Sequence, residues 1–196
     1  MHEGRCQNLV IASDDAGQFN ILLHALCWVH SERLIHTLIP LNEGHREDIA
    51  KVRGELRDLY ADLKYYKDQP IPAQKETQET RFDAIFTQKT RYELLNQALK
   101  RIHKNKSELL LVLERPEIPL HTNGSERDIR DYVKKKKVSG GTRSTTGRRC
   151  RDTFASLKKT CRKQGISFWH YLLDRLSGTG AIPPLPELIR CSTATR

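Results

Sequence analysis

The sequence lacks what a membrane-spanning chain needs: no stretch approaches the roughly 18 consecutive apolar residues of a spanning helix, and its first residues carry no signal-peptide pattern. Cysteine is sparse and scattered. Cys6, Cys27, Cys150, Cys161 and Cys191 are odd in number and contain no C-x-x-C pair, a usage that fits a reducing cytoplasm. Only Cys27 and His30 stand at metal-ligand spacing, and no second pair lies nearby in sequence, which argues against a structural zinc site. No long repeat or low-complexity tract occurs. The glycine-containing stretch Ser139 to Gly147 lacks the Lys-Ser/Thr ending of a P-loop.

What is present is positive charge, concentrated in one place. The 196 residues allow one domain, or one domain with an insertion, and carry a formal net charge of +10. Between Glu126 and Lys163 there are 14 Lys or Arg against 4 Asp or Glu, so this segment holds the whole surplus. Solvated faces usually mix their signs, and a surplus this local points to a polyanionic partner, nucleic acid before an anionic membrane surface.

Along the chain, Asn8 to Ala12 is a short apolar run rich in β-branched residues, closed by Ser13-Asp14-Asp15-Ala16-Gly17, and reads as a buried strand entering a turn. Asp14 then lies at the carboxyl edge of a strand, where open α/β sheets gather ligands; it can equally be a turn aspartate bonding its own backbone. From Gln18 to Leu38 the sequence allows either one helix or a helix, a short strand at Leu26 to Val29 and a second helix. On one helix, His24, Cys27, His30 and Arg33 would share a slowly drifting stripe. His30 beside apolar residues reads more readily as a packing or supporting group than as a ligand.

Between Asn42 and Val112 the pattern turns helical. Ile49, Val52, Leu56, Leu59, Tyr60 and Leu63 recur at three and four and predict an amphipathic helix ending at Asp68 to Pro72. A weaker helix carries Phe82, Ile85 and Phe86, and a third, opened by the capping-box pattern Thr90 to Glu93, buries Tyr92, Leu95, Leu99 and Ile102. This section mixes both charge signs and offers no evident chemistry.

The stretch Asn123-Gly124-Ser125-Glu126-Arg127 joins a helix-start signal to an acid, with Lys134 to Lys137 following on the same predicted helix. Asn123 and Glu126 fit a capping box; alternatively Glu126 is a metal-binding carboxylate at the head of a helix built to meet phosphate. Ser139 to Gly147 reads as a loop of small side chains, Arg148 to Gln164 as a basic helix with Gly165 at its end, and Ser167 as the cap of a last helix before a fraying, proline-rich tail.

Ser13-Asp14-Asp15-Ala16-Gly17-Gln18-Phe19, then Cys27-Trp28-Val29-His30 with Arg33, then Asn123-Gly124-Ser125-Glu126-Arg127 with Arg130, together resemble the DDE-type transposases of bacterial insertion sequences, nearest the insertion-sequence-66 family. The resemblance runs from about Asn8 to Leu176, and its strength lies in the ordered set. It implies an α/β, mostly helical chain: a partial ribonuclease-H-like core whose early strands are missing, interrupted by an all-α insertion. The first part of the core spans residues 1–42, the insertion 43–112, the second part of the core 113–176, and a flexible tail 177–196.

The implied activity is DNA cleavage and strand transfer by two-metal phosphoryl transfer, with Mg²⁺ or Mn²⁺ as cofactor. Asp14 and Glu126 match the second and third acids of the triad, and Asp15 is a fallback for Asp14. Cys27, His30, Arg33, Asn123, Arg127 and Arg130 take supporting roles. Lys134, Lys135, Lys136, Lys137, Arg143, Arg148 and Arg149 are the expected phosphate contacts. The implied partners are transposon-end and target DNA, with a second copy or a companion transposase chain, in a bacterial cytoplasm at the nucleoid. The family's first acid has no counterpart before Asp14, where Glu3 is the one acid, so the chain is expected to be a C-terminal portion with little activity alone. The competing expectation is a non-catalytic nucleic-acid-binding protein using residues 126–163, with Glu126 only capping its helix.

Overall fold

The computed structural model describes residues 10–15 and 23–194. The chain divides into two compact units, Met1–Asn123 and Gly124–Arg196. Both are dominated by helices, and two strands occur among the described residues.

In the first unit, β1 (Val10–Ser13) pairs in parallel with β2 (Leu23–Leu26), Val10 opposite Leu23 and Ser13 opposite Leu26. Asn8, Leu9 and Ala16 to Phe19, part of the expected strand and turn motif, lie outside the described residues. The short strand anticipated at Leu26 to Val29 instead ends at Leu26. Cys27 still donates its N–H to the Ser13 carbonyl at 2.9 Å, but the Trp28 N–H goes to Leu120 O at 3.0 Å, and with that change of partner the backbone leaves the sheet for helix α1 (Trp28–His36). A single helical stripe from His24 to Arg33 therefore does not exist. His24 is on β2, its Nε2 2.7 Å from the Ser13 hydroxyl, Cys27 is the residue before α1, and His30 and Arg33 are on that helix.

Helix α2 (Glu43–Asp68) begins where the Asn42 side chain accepts the His45 N–H at 2.9 Å. Its stripe of Val52, Leu56, Leu59 and Leu63 is fully enclosed. Helix α3 (Lys75–Thr87) follows a single 3-10 turn at Pro72–Gln74, then come α4 (Glu93–Lys104), the short α5 (Lys106–Leu109) and a second 3-10 turn at Leu111–Leu113. The core centres on Trp28, 1% exposed, whose ring meets Phe82 edge-on at 6.0 Å and Tyr60 at 6.5 Å, and whose Nε1 donates to Leu109 O at 3.0 Å.

The start of α4 departs from the capping box expected at Thr90 to Glu93. The Thr90 hydroxyl accepts the Tyr92 N–H at 3.2 Å, and the reciprocal partner is Asn96, whose Oδ1 accepts both the Thr90 N–H and its hydroxyl at 2.8 Å. An amide at position 96 can accept from and donate to Thr90 at once, which a carboxylate at position 93 cannot.

The second unit holds α6 (Asn123–Val138), whose first residue belongs to the first unit, then α7 (Thr145–Lys163), α8 (Phe168–Ser177) and α9 (Leu185–Ala194). Three expectations are corrected here. Asn123 lies inside α6 rather than before it. The loop expected over Ser139 to Gly147 closes at Ser144, whose hydroxyl accepts the Gly147 N–H at 3.0 Å, so Thr145 to Gly147 already turn with α7. The tail expected to fray contains α9: Leu185, directly after Pro184, is 5% exposed and packs in a small core with Cys161 and Tyr171. That contact supplies the ordering energy that composition alone does not reveal.

Candidate functional site

The candidate acids of the first unit lie where β1 ends. Asp14 and Asp15 follow Ser13 directly, and both are exposed. Asp15 has φ +72°, the left-handed region that an aspartate enters more readily than most residues and in which it stores local strain. With Cys27 ahead of α1, His30, Ser31 and Leu34 along it, and Arg101, Ile102 and Asn105 from the end of α4, the two aspartates line a cavity of about 40 Å³. Arg101 Nη2 donates to Asp15 Oδ2 at 3.3 Å, so a cation from the helical section reaches the acid turn.

Cys27 ties this corner together. Its N–H bonds Ser13 just ahead of the aspartates, its carbonyl accepts the Ser31 hydroxyl at 3.4 Å, and its Sγ accepts the Thr122 N–H at 3.4 Å. The expected C-x-x-H element is thus split: Cys27, 2% exposed, is an anchor, and His30, half-buried, faces the cavity. Arg33 lies exposed in the last turn of α1 and does not line the cavity.

The donor chemistry of the aspartates suits a hard divalent cation, which takes carboxylate oxygens. Among the described residues no group of three His, Cys, Asp or Glu side chains is assembled to hold a metal. Asp14 and Asp15 would supply two carboxylates to such an ion.

In the second unit, Glu126 sits half-buried in the first turn of α6, with Arg127 and Arg130 exposed just beyond it. The basic residues behind them fall into two classes. Lys159 bonds Asp131 at 2.6 Å and Asp128 at 3.2 Å, and Lys163 bonds Asp128 at 2.6 Å. Lys163 and Lys159 hold the Asp128 carboxyl below its ordinary range, and Lys159 does the same for Asp131. These two lysines stitch α7 to α6. Lys134 to Lys137, Arg143, Arg148 and Arg149 form no ion pair among the described residues, and all seven are exposed. Arg143 and Arg148 line a hollow of about 450 Å³ with Lys136, Gly141 and Ser144. The loop there rests on two glycines with positive φ, Gly140 and Gly141, and on Arg151, which donates to Gly141 O at 2.8 Å.

Arg101, Asn105 and Arg151 were not anticipated from sequence. Arg101 and Asn105 reach the cavity only through the packing of α4 in three dimensions. Arg151 carries a weak signal, a cation nearly two turns into a helix that follows a glycine loop.

A family model for the transposase IS66 family matches residues 10–149, a span that takes in Asp14, Cys27, His30, Arg101, Glu126 and all seven exposed cations. The chain belongs to the transposase IS66 family. It is also 49% identical over 189 residues to a protein of Sinorhizobium fredii (strain NBRC 101917 / NGR234) called uncharacterized protein y4jO, covering 96% of this chain and 59% of that relative. The chain thus spans less than two thirds of the length of this curated relative. No solved structure matches it. No helix among the described residues is long and apolar enough to cross a membrane.

Proposed function

We propose that this IS66-family chain carries part of the catalytic centre and much of the DNA-contacting surface of a transposase that cuts and joins DNA strands. In this reading the parallel pair β1 and β2 belongs to a ribonuclease-H-like core, Asp14 and Glu126 are ligands for Mg²⁺ or Mn²⁺, and Asp15 is the alternative to Asp14. When bound, a pair of such ions stabilises the attacking and leaving oxygens of an in-line phosphoryl displacement. The chain's own residues orient and neutralise. Lys134 to Lys137, Arg143, Arg148 and Arg149 hold backbone phosphates of transposon-end or target DNA, and Cys27 fixes the strand end that carries Asp14. A second copy or a companion chain is the partner that completes the acid set.

The observation that carries the reading is the position of Asp14 and Asp15 at the carboxyl end of a parallel strand, facing a small cavity, inside the residues the family model matches. Titration calorimetry with Mn²⁺ tests it. Asp14→Asn and Glu126→Gln should each weaken binding while leaving the thermal unfolding of the chain within a few degrees of the parent. Unchanged Mn²⁺ affinity in Glu126→Gln would remove that residue from the site. It would also favour the second reading, a non-catalytic nucleic-acid-binding chain, which the exposure of the seven cations supports equally.

A further inference from the structure

The acid turn comes with a cation that the metal-binding role of its aspartates does not call for. Arg101 projects from the last turn of α4, next to the buried Ile102, and places Nη2 3.3 Å from Asp15 Oδ2 at the mouth of the cavity that Asp14 and His30 also line. Asp15 is held at φ +72° in the same turn. A guanidinium there has two physical consequences. It competes with a divalent cation for the Asp15 carboxylate, since both are drawn to the same oxygens. It also offers the cavity a planar donor set matched to phosphate oxygens, and a strand entering between the acids and α4 would draw it away from Asp15.

We propose that Arg101 is a partner-exchanging residue of the acid site: it neutralises Asp15 when no nucleic acid is bound, and moves to a backbone phosphate when a DNA strand enters, freeing the aspartate for the cation. The inference rests on the reading of the acid turn as a cation site, takes its alternative ligand Asp15 as the one engaged, and adds a positioning residue supplied by the helical section. Cation and DNA binding are then coupled through one side chain, and the coupling is reciprocal. The pair is exposed, with the Arg101 side chain 60% and that of Asp15 42% accessible, so the exchange needs no rearrangement of the core.

The test compares the full chain with Arg101→Gln and Arg101→Lys by Mn²⁺ titration, with and without a short DNA duplex. Without DNA, Arg101→Gln should bind Mn²⁺ about three- to tenfold more tightly than the parent, the range set by removing one exposed charge from beside the site. Arg101→Lys, which keeps the charge, should stay near the parent. Adding the duplex should tighten Mn²⁺ binding markedly in the parent and much less in Arg101→Gln. Equal Mn²⁺ affinity of parent and Arg101→Gln, or equal tightening by DNA in both, overturns the exchange while leaving the acid site standing. No Mn²⁺ binding by either chain, or binding that Asp14→Asn and Asp15→Asn leave intact, overturns the site and the exchange together.

Discussion

The Thr122 amide donates a hydrogen bond to the Sγ of Cys27 at 3.4 Å, joining residues 95 apart in sequence. Thr122 immediately precedes α6, and Cys27 immediately follows the strand that pairs with β1, so one buried sulfur links the acid turn to the segment entering the next helix. Thiol sulfur is a weak acceptor, yet the alternative here is a backbone N–H with one partner fewer. Cys27→Ala should cost about 1–2 kcal/mol, combining the small void with the lost acceptor. Urea unfolding gives the stability, and amide hydrogen exchange gives the local effect: Thr122 should exchange faster in the variant. An unchanged Thr122 rate would mean that the sulfur packs there without holding the chain.

The helical framework was legible because it rests on periodicity. Val52, Leu56, Leu59 and Leu63 recur at three and four, and each is at most 3% exposed. Ser167 was readable as a helix start because the side-chain acceptor lies within three residues of the amide it takes, whereas the equivalent role of Asn42 emerges only from the structure. What could not be read is set by tertiary contacts. Nothing local marks Asp15, rather than Asp14, as the residue entering the left-handed region. Arg101 looks like any charged residue flanking an apolar stripe until α4 is packed against α1. Pro183 and Pro184 suggest an extended tail, and the burial of Leu185 against Cys161 and Tyr171 overrides that suggestion. For the site, the sequence reading named Asp14, Asp15 and seven cations; the structure sets the aspartates directly after β1 and leaves the cations exposed, while the pairing of Lys159 and Lys163 with Asp128 and Asp131 comes from the packing of α7 on α6.

Asp174 gives the second unit a pH dependence. Its carboxylate accepts from the Thr179 hydroxyl at 2.6 Å, from Arg175 at 2.5 Å and from the Ala181 N–H at 2.7 Å, folding the link between α8 and α9 back on itself. These donors favour the charged form, the Thr179 hydroxyl most, and bring its pKa down to about 2. A carboxyl depressed in the folded state binds its proton more readily when unfolded. The stabilisation is therefore complete above the ordinary carboxylate range and is lost as pH falls from about 4 toward 2. Asp174→Asn should be less stable than the parent at neutral pH and show a flatter decline in stability between those limits. Denaturant unfolding at a series of acidic pH values checks this, and parallel curves for the two chains would assign the acid sensitivity to other carboxylates.

The two classes of cation in the second unit should separate in their response to salt. Each phosphate neutralised on duplex DNA releases condensed counterions and adds about 0.9 to the slope of log affinity against log salt. Arg143, Arg148 and Arg149 are exposed and form no ion pair among the described residues, so replacing all three with Gln should lower that slope by about two to three while leaving the unit folded. Lys159 and Lys163 already spend their charge on Asp128 and Asp131. Replacing these two with Gln should change the slope by less than one, because the aspartates they neutralise are released at the same time and repel the duplex without any lysine having left a phosphate. Fluorescence anisotropy with a labelled duplex across a salt series, alongside thermal unfolding, reads both effects. An equal fall in slope for the two variants would mean that the lysines of the α6–α7 stitch exchange their aspartates for phosphate when DNA binds.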